Sequence, residues 1–81
     1  MDHIARHGVQ PDEAEEAVLD PRRVARHAYS VAVERRRAVV GAAQDGRLLF
    51  VVFVQRGDLI RIVSARDAFD IEKRVYRRRG K

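Results

Sequence analysis

The sequence predicts a single small α+β domain: N-terminal helices, an antiparallel sheet of three to four strands, and a closing C-terminal helix. Three observations carry this. The chain has 81 residues, of which 46% are hydrophobic. Two domains of that total length would each fall near the rough ~40-residue limit for unaided folding, and disorder requires a poorer apolar content. Helical punctuation and spacing mark both ends of the chain. Between them, strand-like alternation is broken by glycine-containing turns.

The elements follow in order. Asp2 to His7 reads as a short helix that Gly8 ends, since glycine tolerates the left-handed cap conformation. Pro11 opens a second helix, where its missing N–H costs nothing, and Asp12 and Glu13 complement the helix dipole. Ala14, Ala17 and Val18 form a narrow apolar stripe at i, i+3 and i+4. Asp20-Pro21 stops this helix. Tyr29, Val31 and Val33 alternate with Ser30, Ala32 and Glu34 as a short strand. Residues 38–43 form a second strand, and Gln44-Asp45-Gly46-Arg47 is a tight turn. Residues 47–55 are the next strand, Arg56-Gly57-Asp58 another turn, and residues 59–66 the last strand. A helix over about residues 68–79 closes the chain, with Asp67 or Asp70 near its start. Ile71 and Val75 share one face of it; Glu72 and Tyr76 share a neighbouring one.

The strand Leu48-Leu49-Phe50-Val51-Val52-Phe53-Val54 is apolar on both faces. A strand of a half-exposed antiparallel sheet alternates, and short helices in so small a chain cover one face better than two. Part of the second face is therefore expected to meet another chain. The same run is the longest apolar stretch and is far too short to span a membrane. The N-terminal segment has no apolar core of the signal-peptide kind. The expectation is a soluble, cytoplasmic protein with no membrane association.

Seventeen Lys and Arg face twelve Asp and Glu, a net charge of +5. Only Lys73 and Lys81 are lysines; the other fifteen are arginines. A planar five-donor fork grips phosphate bidentately, so the balance points to nucleic acid or an acidic partner. GC-rich codon usage would enrich arginine equally. With no cysteine, a disulfide scaffold, a thiolate zinc site and a cysteine nucleophile are excluded. Walker, GxSxG and HExxH motifs are lacking. The five aromatics are not spaced as a base-stacking platform on one strand, which argues against an RRM-like or OB-like reader.

Candidate chemistry lies on the last strand and closing helix. Regular alternation puts Arg61 on one face with Leu59, Val63 and Ala65, and Arg66 on the other with Ser64, Ile60 and Ile62. An arginine in an apolar strand is costly unless it is partnered or at work. Each reads either as a phosphate ligand or as an ion-paired or snorkelling cation. Glu72 is a general base, an arginine orienter, or a helix-dipole residue. Tyr76 donates to a phosphate or packs its ring. His7 is an acid–base candidate or a helix-end residue. His3 and His7 are four apart, but no third ligand supports a metal site. The clusters Arg35-Arg36-Arg37 and Arg77-Arg78-Arg79 are solvated charge that would raise RNA affinity.

Taken together, several segments resemble the BrnT family of ribonuclease toxins. Arg6-His7-Gly8-Val9 is similar to its Lys/Arg-His-Gly-Val signature, and Asp20-Pro21 follows the acidic helix as it does there. Arg37 to Gly41, Asp45-Gly46-Arg47 and the apolar strand come in the family's order. Arg61-Ile62-Val63-Ser64-Ala65-Arg66 resembles its Arg-Ile-Ile-Ser-Ala-Arg strand, and Glu72-Lys73-Arg74-Val75-Tyr76 its closing helix. In departure, Arg6 stands for the commoner lysine, Phe69 occupies a position that is often threonine, and of the usual N-terminal segment ending in Trp-Asp only Asp2 is present.

The resemblance implies a RelE-like endoribonuclease toxin of a type II toxin–antitoxin pair. It would cut RNA without metal or cofactor and so inhibit translation. A BrnA-like antitoxin carrying a ribbon-helix-helix DNA-binding domain would neutralise it, so that DNA is met only through that partner. Carried over by position, Arg61 and Arg66 would serve the phosphate and transition-state charge, and Arg37 a further phosphate. Glu72 or His7 would transfer the proton, and Tyr76 would be a supporting donor. Arg61 and Arg66 on opposite faces require either a bend or bulge in the strand, or only one catalytic arginine. The alternative functions are a non-catalytic RNA- or protein-binding module and a small structural homodimer.

Overall fold

The computed structural model describes residues 5–6, 8–26 and 36–79. They form the expected α+β fold. Strand β1 (Ala5–Arg6) precedes helix α1 (Pro11–Leu19). Strands β2 (Val24–Arg26), β3 (Arg37–Ala42), β4 (Leu48–Arg56) and β5 (Leu59–Asp67) follow, and helix α2 (Asp70–Arg79) closes the chain. The sheet order is β1-β5-β4-β3-β2. Strands β2 to β5 are antiparallel neighbours, and β1 pairs parallel with β5.

That last pairing corrects the N-terminal expectation. Ala5 and Arg6 are not helical; they sit opposite Ser64 and Ala65. A helix of so few residues is barely stable, whereas an open sheet edge offers ready hydrogen-bonding partners. Gly8 does adopt positive φ, +77°, but it turns the chain from a strand toward α1. The strand expected around Tyr29, Val31 and Val33 lies outside the described residues.

Helix α1 begins at Pro11 and ends at Leu19, before Asp20-Pro21. The Glu13 carboxylate accepts from Gln10 N at 3.0 Å, satisfying one free donor of the first turn. Ala14, Ala17 and Val18 are buried against Val39, Leu49, Val51, Phe53 and Ala65. Gly41 makes this close approach feasible, since a Cβ there would overlap the carbonyl of Ala17.

The sheet separates two layers. Residues paired across antiparallel strands share a face, so Gly41, Leu49, Val51 and Ala65 face α1. Val24, Val40, Phe50 and Arg66 form a row on the opposite face. Helix α2 lies over that second face, touching β2 and β3. The strand apolar on both sides is therefore covered partly by its own chain: Leu49, Val51 and Phe53 are buried toward α1, while Leu48, Phe50 and Val52 stay half-buried. Among the described residues, no helix is long and apolar enough to cross a membrane.

Candidate nucleic-acid interface

The geometry of β5 decides which arginines can act together. Val52 is paired with Ser64 and the next residue, Phe53, with Ile62, so Val63 is an extra residue bulged out of register. Below the bulge the phase shifts by one. Ile62 and Ile60 turn to the α1 face and pack against the core. Arg61, opposite Val54, turns to the same face as Ser64 and Arg66. The bulge thus removes the conflict that regular alternation creates. Arg61 is exposed near the end of β5.

Arg66 is held on several sides. Its Nη1 and Nη2 donate to the two Glu72 carboxylate oxygens at 2.8 and 2.9 Å, and Nη1 also donates to Asp67 O at 3.0 Å. Its guanidinium carbon lies 4.3 Å from the Phe50 ring centroid and 3.7 Å from that of Phe69. The cation is thus stacked on two rings as well as paired.

Glu72 is the one buried charged residue among those described, at 7% exposure. It also accepts from Phe69 N at 2.7 Å, which caps α2 where Phe69 has no side-chain oxygen to do so. Burial pushes its carboxyl up, but the hydrogen bonds from Arg66 and Phe69 N–H outweigh this and hold it below the usual range. Glu72 is therefore an ionised, fully engaged carboxylate. This draws Glu72 inward and leaves Ile71 58% exposed.

Tyr76, one turn on, donates to Asp20 Oδ2 at 2.5 Å. Asp20 also accepts from Ala42 N at 2.8 Å and from Arg22 N at 2.9 Å. Burial and the bond to Asp20 push the Tyr76 phenol up to about 12. Asp20 itself is pushed up by burial, but the Tyr76, Arg22 and Ala42 bonds more than offset this and leave it lowered. One carboxylate thus ties the end of α1 to β3 and α2.

Arg37 lies elsewhere. Opposite Phe53, it is on the α1 face, where it donates to Gln55 Oε1 at 3.1 Å and lines a cleft with Arg23, Phe53 and Ile60. His7 lies outside the described residues. The structure therefore brings Arg61, Arg66 and Glu72 to one face and leaves Arg37 on the other.

Sequence reasoning missed three participants. Arg26 shares a row with Ala38, Val52 and Ser64 and lines a shallow cleft with Ala25, Phe50 and Glu72. Arg47 donates to Asp67 at 2.7 and 3.0 Å, to Glu13 at 3.2 Å and to Gly8 O at 3.1 Å, which holds Asp67 below the usual carboxylate range. Phe69 is the third. An aromatic at a helix start with a glutamate three residues on was the available signal for it. Nothing local marks Arg26 or Arg47.

Among known proteins, a family model described as "Ribonuclease toxin, BrnT, of type II toxin-antitoxin system" matches residues 1–72. No curated protein matches the chain.

Proposed function

The chain belongs to the BrnT family of type II toxin–antitoxin ribonuclease toxins, and from that premise we propose that it is an endoribonuclease that arrests translation by cutting RNA. The observation that carries the reading, beyond membership, is the β5 bulge that sets Arg61 and Arg66 on one face. In metal-independent cleavage the ribose 2′-OH attacks the adjacent phosphorus. The enzyme then needs a base, an acid and cations for the developing charge.

In this proposal Arg61 meets the scissile phosphate. Arg66 adds positive charge from a fixed position, and Glu72 orients its fork. Three of the five guanidinium donors of Arg66 are already engaged. Since Glu72 is held ionised by two partners, proton transfer falls to His7, whose type titrates near neutrality. Arg6, its chain neighbour, is paired with Ala65. Tyr76 supports the site through Asp20, and Arg37 would contact a phosphate where RNA rounds the end of the sheet. The chain works in the cytoplasm and needs no metal or cofactor. A BrnA-like ribbon-helix-helix antitoxin neutralises it, and the exposed side chains of Leu19, Leu59 and Ile71 suit such a partner.

The test is induced expression in a bacterial host, with growth and total RNA integrity followed together. The intact chain should stop growth and fragment RNA. Arg61→Ala and His7→Ala, at equal protein level, should relieve both, with a rate loss of about 10²–10³ for the arginine. Normal growth with intact RNA in cells holding the folded, unmodified chain would overturn the proposal.

A further inference from the structure

Phe69 is a large aromatic residue left 60% exposed, although the Arg66 guanidinium lies 3.7 Å from its ring centroid. One face of the ring is therefore occupied and the other is open. Beneath it the order is fixed: Phe50 ring, Arg66 guanidinium, Phe69 ring. Glu72 locks the middle member bidentately and also binds Phe69 N, so the outermost ring is held at its backbone as well as by its stack. A rigid aromatic face costs little entropy to use, and a phenyl ring over a cation can extend its stack by one more flat π-system.

The surroundings favour an anionic owner of that π-system. Asp67 is paired with Arg47, and Glu72 with Arg66, which leaves Asp70 as the nearby carboxylate against Lys73 and Arg74 on the same helix. Arg61 and Ser64 lie on the same sheet face as Arg66. Base-on-aromatic stacking tolerates any sequence because every base has a π-face.

We propose that Phe69 is a base-stacking platform for the RNA substrate, taking one unpaired nucleobase on its open face while the strand arginines hold the adjoining phosphates. This rests on the ribonuclease reading and adds a subsite to it. The two aromatics that make the platform, Phe50 and Phe69, are far apart in the chain; Arg66 is what joins them.

The native chain contains no tryptophan, so Phe69→Trp installs a single reporter. The probe is a short single-stranded oligoribonucleotide, 2′-O-methylated throughout so that it cannot be cut, with a terminal dye for anisotropy. Stacking predicts quenching of the new tryptophan emission on titration and near-native affinity. Phe69→Leu keeps an apolar side chain without the π-face and should weaken binding roughly 5- to 100-fold; Phe69→Tyr should restore it. Far-UV circular dichroism confirms that each variant is folded. If the oligonucleotide binds the intact chain and Phe69→Leu alike, without quenching in Phe69→Trp, the platform is overturned and the open ring is left to a protein partner. If the intact chain does not bind RNA at all, the platform falls together with the ribonuclease reading.

Discussion

At the scale of single residues, Glu72 can be buried and charged only because Arg66 and Phe69 N–H meet it. Replacing it with glutamine keeps the shape but removes the charge from the bidentate bond. Hydrogen bonds to charged groups contribute about 1.5–3 kcal/mol, so Glu72→Gln should lower stability at neutral pH by about 1–3 kcal/mol in urea unfolding. The sign of the pH dependence follows from the lowered carboxyl. Its folded value lies below the unfolded one, so its contribution is complete above the unfolded value and is lost as pH falls through the folded value. The gap between Glu72→Gln and the native chain should accordingly close in acid, and a gap that persists there would refute the ion-pair account. Tyr76 behaves oppositely. Its phenol is pushed up to about 12, above the usual 10, so the stability it adds is complete below pH 10 and is lost as pH rises toward 12. Tyr76→Phe should cost about 1–3 kcal/mol at pH 7. Its penalty should shrink in alkali, as followed by thermal melts across that range.

At the scale of elements, the bulge at Val63 and the contact at Gly41 do the most to shape the molecule. Val63 is the residue left without a partner in β4, so deleting it removes the bulge and leaves every other pair in place. Arg61 would stay on the face of Arg66, and Ile60 and Ile62 would stay against the core. The deletion should therefore keep growth arrest, with a stability cost of about 1 kcal/mol in urea unfolding. Loss of arrest in a folded deletion variant would show that the shared face of Arg61 and Arg66 is not enough for activity. Gly41→Ala would drive a methyl group into the Ala17 carbonyl. Backbone cannot rotate aside as a flexible side chain does, so a cost of about 1–3 kcal/mol is expected in a thermal melt. These two sites also mark the limit of what the sequence discloses. The hairpin turns at Gly46 and Gly57 carry local signals, and both glycines take positive φ. Helix α1 is legible from Pro11 to the Asp20-Pro21 stop for the same reason. The bulge is set by how β5 meets β4, which no window of β5 reveals. Likewise, whether Ala5 and Arg6 fold as helix or strand is decided by Ser64 and Ala65, far along the chain.

At the scale of the whole molecule, the arginine excess is read directly from composition, but its use depends on how the fold distributes it. Arg47 and Arg66 are spent on Asp67, Glu13 and Glu72. The net charge of +5 is therefore carried in good part by arginines outside those pairs, on both sides of the sheet and along α2. Arg61 and Arg26 lie on the α2 face, and Arg37 lies on the α1 face. Candidate site residues were thus nameable one at a time from the sequence, whereas their grouping required the sheet register. That grouping has a measurable consequence for RNA binding. Each phosphate neutralised on a single strand releases counterions, giving a slope in log affinity against log salt of about −0.7 per contact. If an oligoribonucleotide lies across the α2 face and engages roughly three to five arginines, the slope should fall between about −2 and −3.5. Arg61→Ala should make it shallower by about 0.7 while weakening binding. Arg37→Ala should do the same only if the RNA rounds the end of the sheet to reach the α1 face. Anisotropy titrations with the uncleavable oligonucleotide at several salt concentrations separate these cases. A slope near zero for the native chain would mean that its arginines do not serve RNA, and the charge would then have to be explained by an acidic protein partner.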